Sequence, residues 1–234
     1  MIAVAAWPMR NFEPARAVAL WRATAQPLIE VAKDFVDTLS LKSLALELDR
    51  VRRETGARLS FAGTTDLVQC GGMPWDRYRQ YLAVQSAQAR FLGAEYFRLF
   101  AGPASAACSR GTLLRRIEDV VLDLDPITPC IEIDQGVECD PETLLSLLDI
   151  PRLAIVLDIG NAADSGLEAD WLHRSLPPGR VAYVHHRNAA TWVEHEGSRL
   201  EEERWRAALP TTPFLWEPKG LQDPARIERL VLGL

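Results

Sequence analysis

The sequence predicts a single (β/α)8 barrel of the α/β class over residues 1–234, on three observations. Short apolar runs of strand length alternate with longer segments of helical periodicity from end to end. The alternation repeats eight times, the number a closed parallel barrel requires. Where the short runs end, acidic side chains fall at positions whose parity turns them toward a barrel axis. A doubly wound open sheet alternates in the same way, so the count of units does not decide alone.

The strand candidates are 2–7, 28–33, 58–63, 96–101, 128–134, 153–159, 181–186 and 213–217. The helix candidates lie at about 14–25, 40–55, 75–92, 112–124, 141–149, 167–176, 201–208 and 224–232. Asp140-Pro141 and Asp223-Pro224 each offer an N-cap followed by proline at the first helical position. Gly56 and Gly93 stand where two of the helices should stop. No repeat, low-complexity tract or linker divides the chain.

Composition bounds what such a barrel can do. With 48% hydrophobic residues the chain can bury a substantial core. A net charge of -6 argues against a nucleic-acid surface, which needs concentrated Lys and Arg. Cys70, Cys108, Cys130 and Cys139 form no CxxC pair or dense framework, which fits a reducing compartment. The opening MIAVAAWPMR lacks a basic stretch ahead of its short apolar run, unlike a signal peptide. No apolar stretch approaches the roughly 20 residues that span a bilayer. The expectation is a cytoplasmic protein without membrane or nucleic-acid partners.

Parity then sorts the strand residues. Ile131 and Ile133 alternate with Glu132 and Asp134; Leu153, Ile155 and Leu157 alternate with Ala154, Val156 and Asp158. Phe214 and Trp216 flank Leu215 and precede Glu217. Large apolar residues belong under the helices, so Glu132, Asp158 and Glu217 point into the barrel. Arg98 lies between Phe97 and Leu99, and Glu30 between Ile29 and Val31, so both join them. Val181, Tyr183 and His185 share one parity and His186 has the other, so a one-residue slip would exchange the two histidines.

Four carboxylates facing one Arg and one His make a costly excess of buried negative charge. Either some are protonated or a cation neutralises them, and the cation is the simpler account. Two Glu, one Asp and one His form a mixed O/N donor set suited to Mn²⁺, Mg²⁺, Co²⁺ or Zn²⁺. Blander roles exist for each residue. Glu132 and Glu217 would also serve as partners of arginines in a packed barrel, and Asp158 before Gly160-Asn161 would also shape a turn. Glu30 would also pair with Arg98 or Lys33, and Asp134 is open to a role behind the site or at a turn. The stretch 194–203 reads as a solvated face and helix start. Among the tryptophans, Trp7, just past the first strand candidate, is best placed to stack on a sugar.

The runs ARFLGAEYFRLFAG, IEID, LDIGN, YVHHRN and FLWE, in this order, resemble the xylose isomerase-like TIM barrels of the sugar phosphate isomerase/epimerase superfamily. The resemblance covers most of the chain. It implies a divalent metal held by Glu132, Asp158, His185 and Glu217, the set that parity also selects. It implies that Glu132 and Glu217 act as an acid/base pair on opposite faces of a ketose. It places Arg98 in the lining of the pocket. Arg187, Glu30, Asn161 and Trp7 are expected as further substrate contacts on their positions in this sequence. The chain departs from the family pattern in three places. Asn161 stands where many members have His, His185-His186-Arg187-Asn188 replaces His-x-Lys-Asp, and Gly63-Thr64-Thr65-Asp66 replaces a strand end that commonly supplies His. These departures touch substrate and proton-transfer groups and leave the metal set intact.

The expected activity is therefore metal-dependent proton abstraction next to a carbonyl of a small polyhydroxylated substrate, as in a sugar isomerase or epimerase. A dehydratase or lyase shares the first step. A barrel that has lost catalysis and serves as a binding or accessory protein is the alternative from another class. A homodimer is compatible with such barrels. The DNA-repair endonuclease branch, whose multi-zinc site is rich in His, is excluded by the four histidines present and the acidic charge.

Overall fold

A computed structural model of the chain describes residues 3–9, 11–37, 40–63, 65–103, 108–134, 136–186, 196–217, 221 and 223–233. Seven parallel strands follow one another in chain order: β1 (Leu28–Ala32), β2 (Arg58–Ala62), β3 (Tyr96–Leu99), β4 (Thr128–Ile133), β5 (Ala154–Asp158), β6 (Val181–His186) and β7 (Phe214–Trp216). Helices pack around the sheet, and the whole is a nearly closed (β/α) barrel.

Closure runs through residues 3–5. Val4 bridges Trp216 in parallel, the Ala5 N–H donates to the Trp216 carbonyl (3.0 Å) and the Trp216 N–H to that of Ala3 (2.6 Å). On the β1 side, side chains take the place of a backbone ladder. The Val4 N–H donates to Gln26 Oε1 and the Ala6 N–H to Glu30 Oε2, both at 2.8 Å. The strand expected at 2–7 is thus reduced to a single bridge, and Ala6–Met9 is helical. Pro8, with no N–H for a ladder and φ fixed near helical values, ends the extended run.

The other strands and helices lie close to their expected positions. Asp140 caps Pro141–Leu148 by accepting from the Thr143 N–H (2.9 Å), and Asp223 caps Pro224–Leu232 through the Ala225 N–H (3.0 Å). Gly56 and Gly93 end their helices at φ 73° and 72°, where a side chain would strain the backbone. Lys33–Asp37 and Ile159–Asp164 are short helices that periodicity does not reveal, being too brief to show a repeat.

The core has two layers. Ile29, Val31, Leu59, Phe61, Ile131 and Leu157 pack outward beneath the helices. Leu28, Tyr96, Cys130, Val156, Tyr183 and Leu215 fill the barrel itself. The amino end is covered by Arg58, whose guanidinium lies 4.5 Å over the Tyr96 ring. One parity assignment fails. The β5–β6 register steps from Ile155↔Val181 to Val156↔Tyr183, leaving Ala182 extra. This irregularity turns Val181 outward while Tyr183 faces inward, so the two do not share a face.

Candidate metal centre

Each acidic group reaches the centre from a strand's carboxyl end. Glu132 is the fifth residue of the six in β4, Asp158 ends β5, His185 is next to last in β6 and Glu217 follows β7. The local sequence explains the placement, because flanking Ile131, Ile133, Leu157 and Trp216 are drawn outward under the helices. One donor atom from each of Glu132, Asp158, His185 and Glu217 lies within 4.8 Å of the other three. His185, not His186, is the inward histidine.

The centre is held by a dense network. His185 Nδ1 sits 2.8 Å from Glu132 Oε1 and 2.7 Å from Glu217 Oε2, and its Nε2 lies 3.3 Å from Glu30 Oε2. Arg98 donates from Nη1 to Glu132 Oε2 (2.8 Å) and faces Glu30 Oε1 with Nε (3.1 Å). Asp158 caps Ile159–Asp164 by accepting from the Asn161 N–H (2.7 Å), and its other oxygen accepts from the Asn161 amide (3.0 Å). Asn161 thus orients a proposed ligand. Tyr183, which parity shows only as an inward aromatic, donates to Glu30 Oε1 (2.7 Å) and pairs with the Ser60 hydroxyl (2.9 Å).

Electrostatics follows from this packing. Burial pushes the Glu132 carboxyl up, and although Arg98 and His185 oppose the shift it titrates at about 7. Burial acts the same way on Glu217, but the His185 and Arg98 charges outweigh it and hold that carboxyl below its usual range. Glu30 is also buried, yet Arg98 and His185 lower it well below ordinary carboxylates. Burial alone would keep His185 neutral, but Glu217, Glu30 and Glu132 push its pKa well above that of free imidazole.

The donor set fits a divalent ion. Bonds of about 2.0–2.2 Å place neighbouring ligand atoms roughly 3 Å apart, close to the spacing of His185 Nδ1 from the two glutamates. Among the described residues, the carboxyl groups of Glu30, Glu132, Asp158 and Glu217 face one guanidinium and one imidazole, an acid-rich surrounding that suits a cation. The residues present fit the group.

Other predicted positions fall differently. Arg98 is only 4% exposed and is engaged by Glu30 and Glu132. Asp134 starts a turn, its N–H donating to Glu138 Oε1 (3.0 Å). Arg187 and the Trp7 side chain lie outside the described residues. Among the described residues of the stretch expected as a solvated face, Glu202 departs from that expectation. Glu202, in the helix Glu196–Ala208, is 4% exposed and lies 3.1 Å from His186 Nδ1. Its signal was hidden because a helix starting at 201 leaves no turn to orient it.

The chain matches no family model and no curated protein. Among solved structures the fold is clear: it is that of the xylose isomerase-like TIM barrels. A D-psicose 3-epimerase solved in the presence of D-fructose aligns over 100% of both chains with a TM-score of 0.71 and 11% identity. The probable 3-DHS dehydratase AsbF of Bacillus anthracis, involved in petrobactin synthesis, aligns over 100% of this chain and 98% of its own, with a TM-score of 0.75 and 17% identity. A xylose isomerase domain protein of Alicyclobacillus acidocaldarius covers 99% and 98%, with a TM-score of 0.64 and 17% identity. No described helix is long and apolar enough to cross a membrane, and all four cysteines are free.

Proposed function

We propose that the chain is a divalent-metal-dependent isomerase or epimerase acting on a small polyhydroxylated carbonyl compound. The observation that carries this reading is the meeting of Glu132, Asp158, His185 and Glu217 within 4.8 Å at the carboxyl ends of four successive strands or just beyond. That end is where barrels of this kind place their chemistry. The proposed ligands are these four residues, and the ion is Mn²⁺, Mg²⁺, Co²⁺ or Zn²⁺. When bound, it supplies Lewis-acid polarisation of a substrate carbonyl and stabilises the negative charge left by proton removal.

The protein's own groups divide the proton work. Glu132 and Glu217 are proposed as the acid/base pair, one removing the proton next to the carbonyl and the other returning it. Arg98 fixes one Glu132 oxygen and leaves the other toward His185. Asn161 sets the orientation of Asp158. Arg187, which follows β6, is proposed to bind an oxygen-rich or anionic part of the substrate, and Trp7 to stack on it. The neighbours' ketoses make D-fructose and D-tagatose the first probes.

The test is incorporation of deuterium from D2O into these ketoses by the Mn²⁺-supplemented protein. Wild type is expected to exchange the proton next to the carbonyl, and Glu217→Gln to slow exchange by about 10²–10⁴-fold while keeping the fold. Undiminished exchange in the variant would remove Glu217 from the acid/base pair. A dehydratase is the second reading, favoured by the structural likeness to AsbF. It shares the proton abstraction but expels a β-hydroxyl, so an unsaturated product with 3-dehydroshikimate and no epimer from either ketose would decide for it.

A further inference from the structure

Glu30 is fully buried in the barrel, and none of the proton chemistry above uses it. Its oxygens are shared among four donors from distant parts of the chain. Oε1 accepts from the Tyr183 hydroxyl (2.7 Å) and faces Arg98 Nε (3.1 Å). Oε2 accepts from the Ala6 N–H (2.8 Å) and faces His185 Nε2 at 3.3 Å. That last contact is an ion-pair approach without good hydrogen-bond alignment, and among the described residues Nε2 makes no hydrogen bond. Ala6 directly follows the residues that bond β7 and close the barrel. His185 carries its other nitrogen between Glu132 and Glu217.

A neutral imidazole has one N–H, and the group facing one nitrogen decides which nitrogen keeps it. Metal-bound histidines commonly direct the other N–H to a carboxylate, which fixes both tautomer and ring orientation. We infer that Glu30 is a positioning residue. With an ion in the centre, it keeps the N–H of His185 on Nε2, so that Nδ1 is the atom free to ligate, and it ties that ring to the closing seam at Ala6. The inference rests on the metal reading of the four-residue centre. It gives Glu30 a role distinct from the substrate contact expected of it from the sequence: no ligand needs to reach a fully buried carboxylate for this role.

Co²⁺ is the probe, because its visible bands report coordination geometry and calorimetry gives its affinity. Glu30→Gln is expected to weaken Co²⁺ binding by about 10–100-fold and to change the visible bands, with Glu30→Asp recovering part of the loss. In wild type, Co²⁺ should slow hydrogen exchange of the Ala6 amide, and that gain should vanish in Glu30→Gln. If wild type takes up no Co²⁺, the metal reading falls and takes this inference with it. If wild type binds while Glu30→Gln matches it in affinity and spectrum, only the role of Glu30 is overturned. Should Glu30→Gln fail to fold, Tyr183→Phe removes one donor and keeps the carboxylate. It is expected to weaken Co²⁺ roughly 2–10-fold, and unchanged affinity and bands in that variant contradict the inference.

Discussion

The two ends of the barrel interior are built from the same strands and have opposite chemistry. Toward the amino end, Leu28, Tyr96, Val156 and Leu215 pack as apolar side chains with the thiol of Cys130 among them. Toward the carboxyl end, Glu132, Asp158, His185 and Glu217 crowd together above Glu30 and Arg98. The floor is what stability alone would select, since buried apolar area favours folding without an electrostatic cost. The rim is what stability alone would remove, because buried ionic clusters are often no better than apolar packing. Such a rim is what the proposed metal centre requires.

Substitutions at the two ends should separate these roles. The largest expected effect on folding is at the floor. Leu215→Ala, at a fully buried position, should lower stability by about 2–5 kcal/mol in denaturant titrations, with Mn²⁺ stoichiometry unchanged. A loss of metal without loss of stability there would erase the distinction. At the rim, Asp158→Ala should weaken Mn²⁺ by about 100-fold or more. The same variant should cost the metal-free protein only about 1 kcal/mol, for the lost helix cap.

The smallest effect lies on the outer shell. Asp140→Ala should cost about 1 kcal/mol at neutral pH and leave the centre untouched. Hydrogen bonds from Thr143 hold the Asp140 carboxyl below its usual 3.8. The cap's contribution is therefore complete above that value and is lost as pH falls through the lower folded pKa. Wild type and variant should converge in stability under acid, and a gap that persists there would contradict the assignment.

Much of this contrast is written in strand parity. Glu132, Asp158 and Glu217 are identifiable because each alternates with large apolar neighbours that have only one place to go. Parity is blind where the pairing register changes, so Val181 is misread beside the β5–β6 irregularity. It is equally blind to partners from distant segments. Glu30 joins Ala6, Arg98, Tyr183 and His185 through closure of the barrel, which no local pattern encodes. The first strand fails for a related reason, since side chains of Gln26 and Glu30 supply the partners that an eighth ladder would have given.

The central claim is tested most directly by elemental analysis of protein purified without chelator, combined with thermal unfolding. About one divalent ion per chain is expected. At Mn²⁺ a hundredfold above its dissociation constant, the midpoint should rise by roughly 5–10 °C relative to EDTA-treated protein. Absence of stoichiometric metal, with a midpoint indifferent to both EDTA and Mn²⁺, would contradict it.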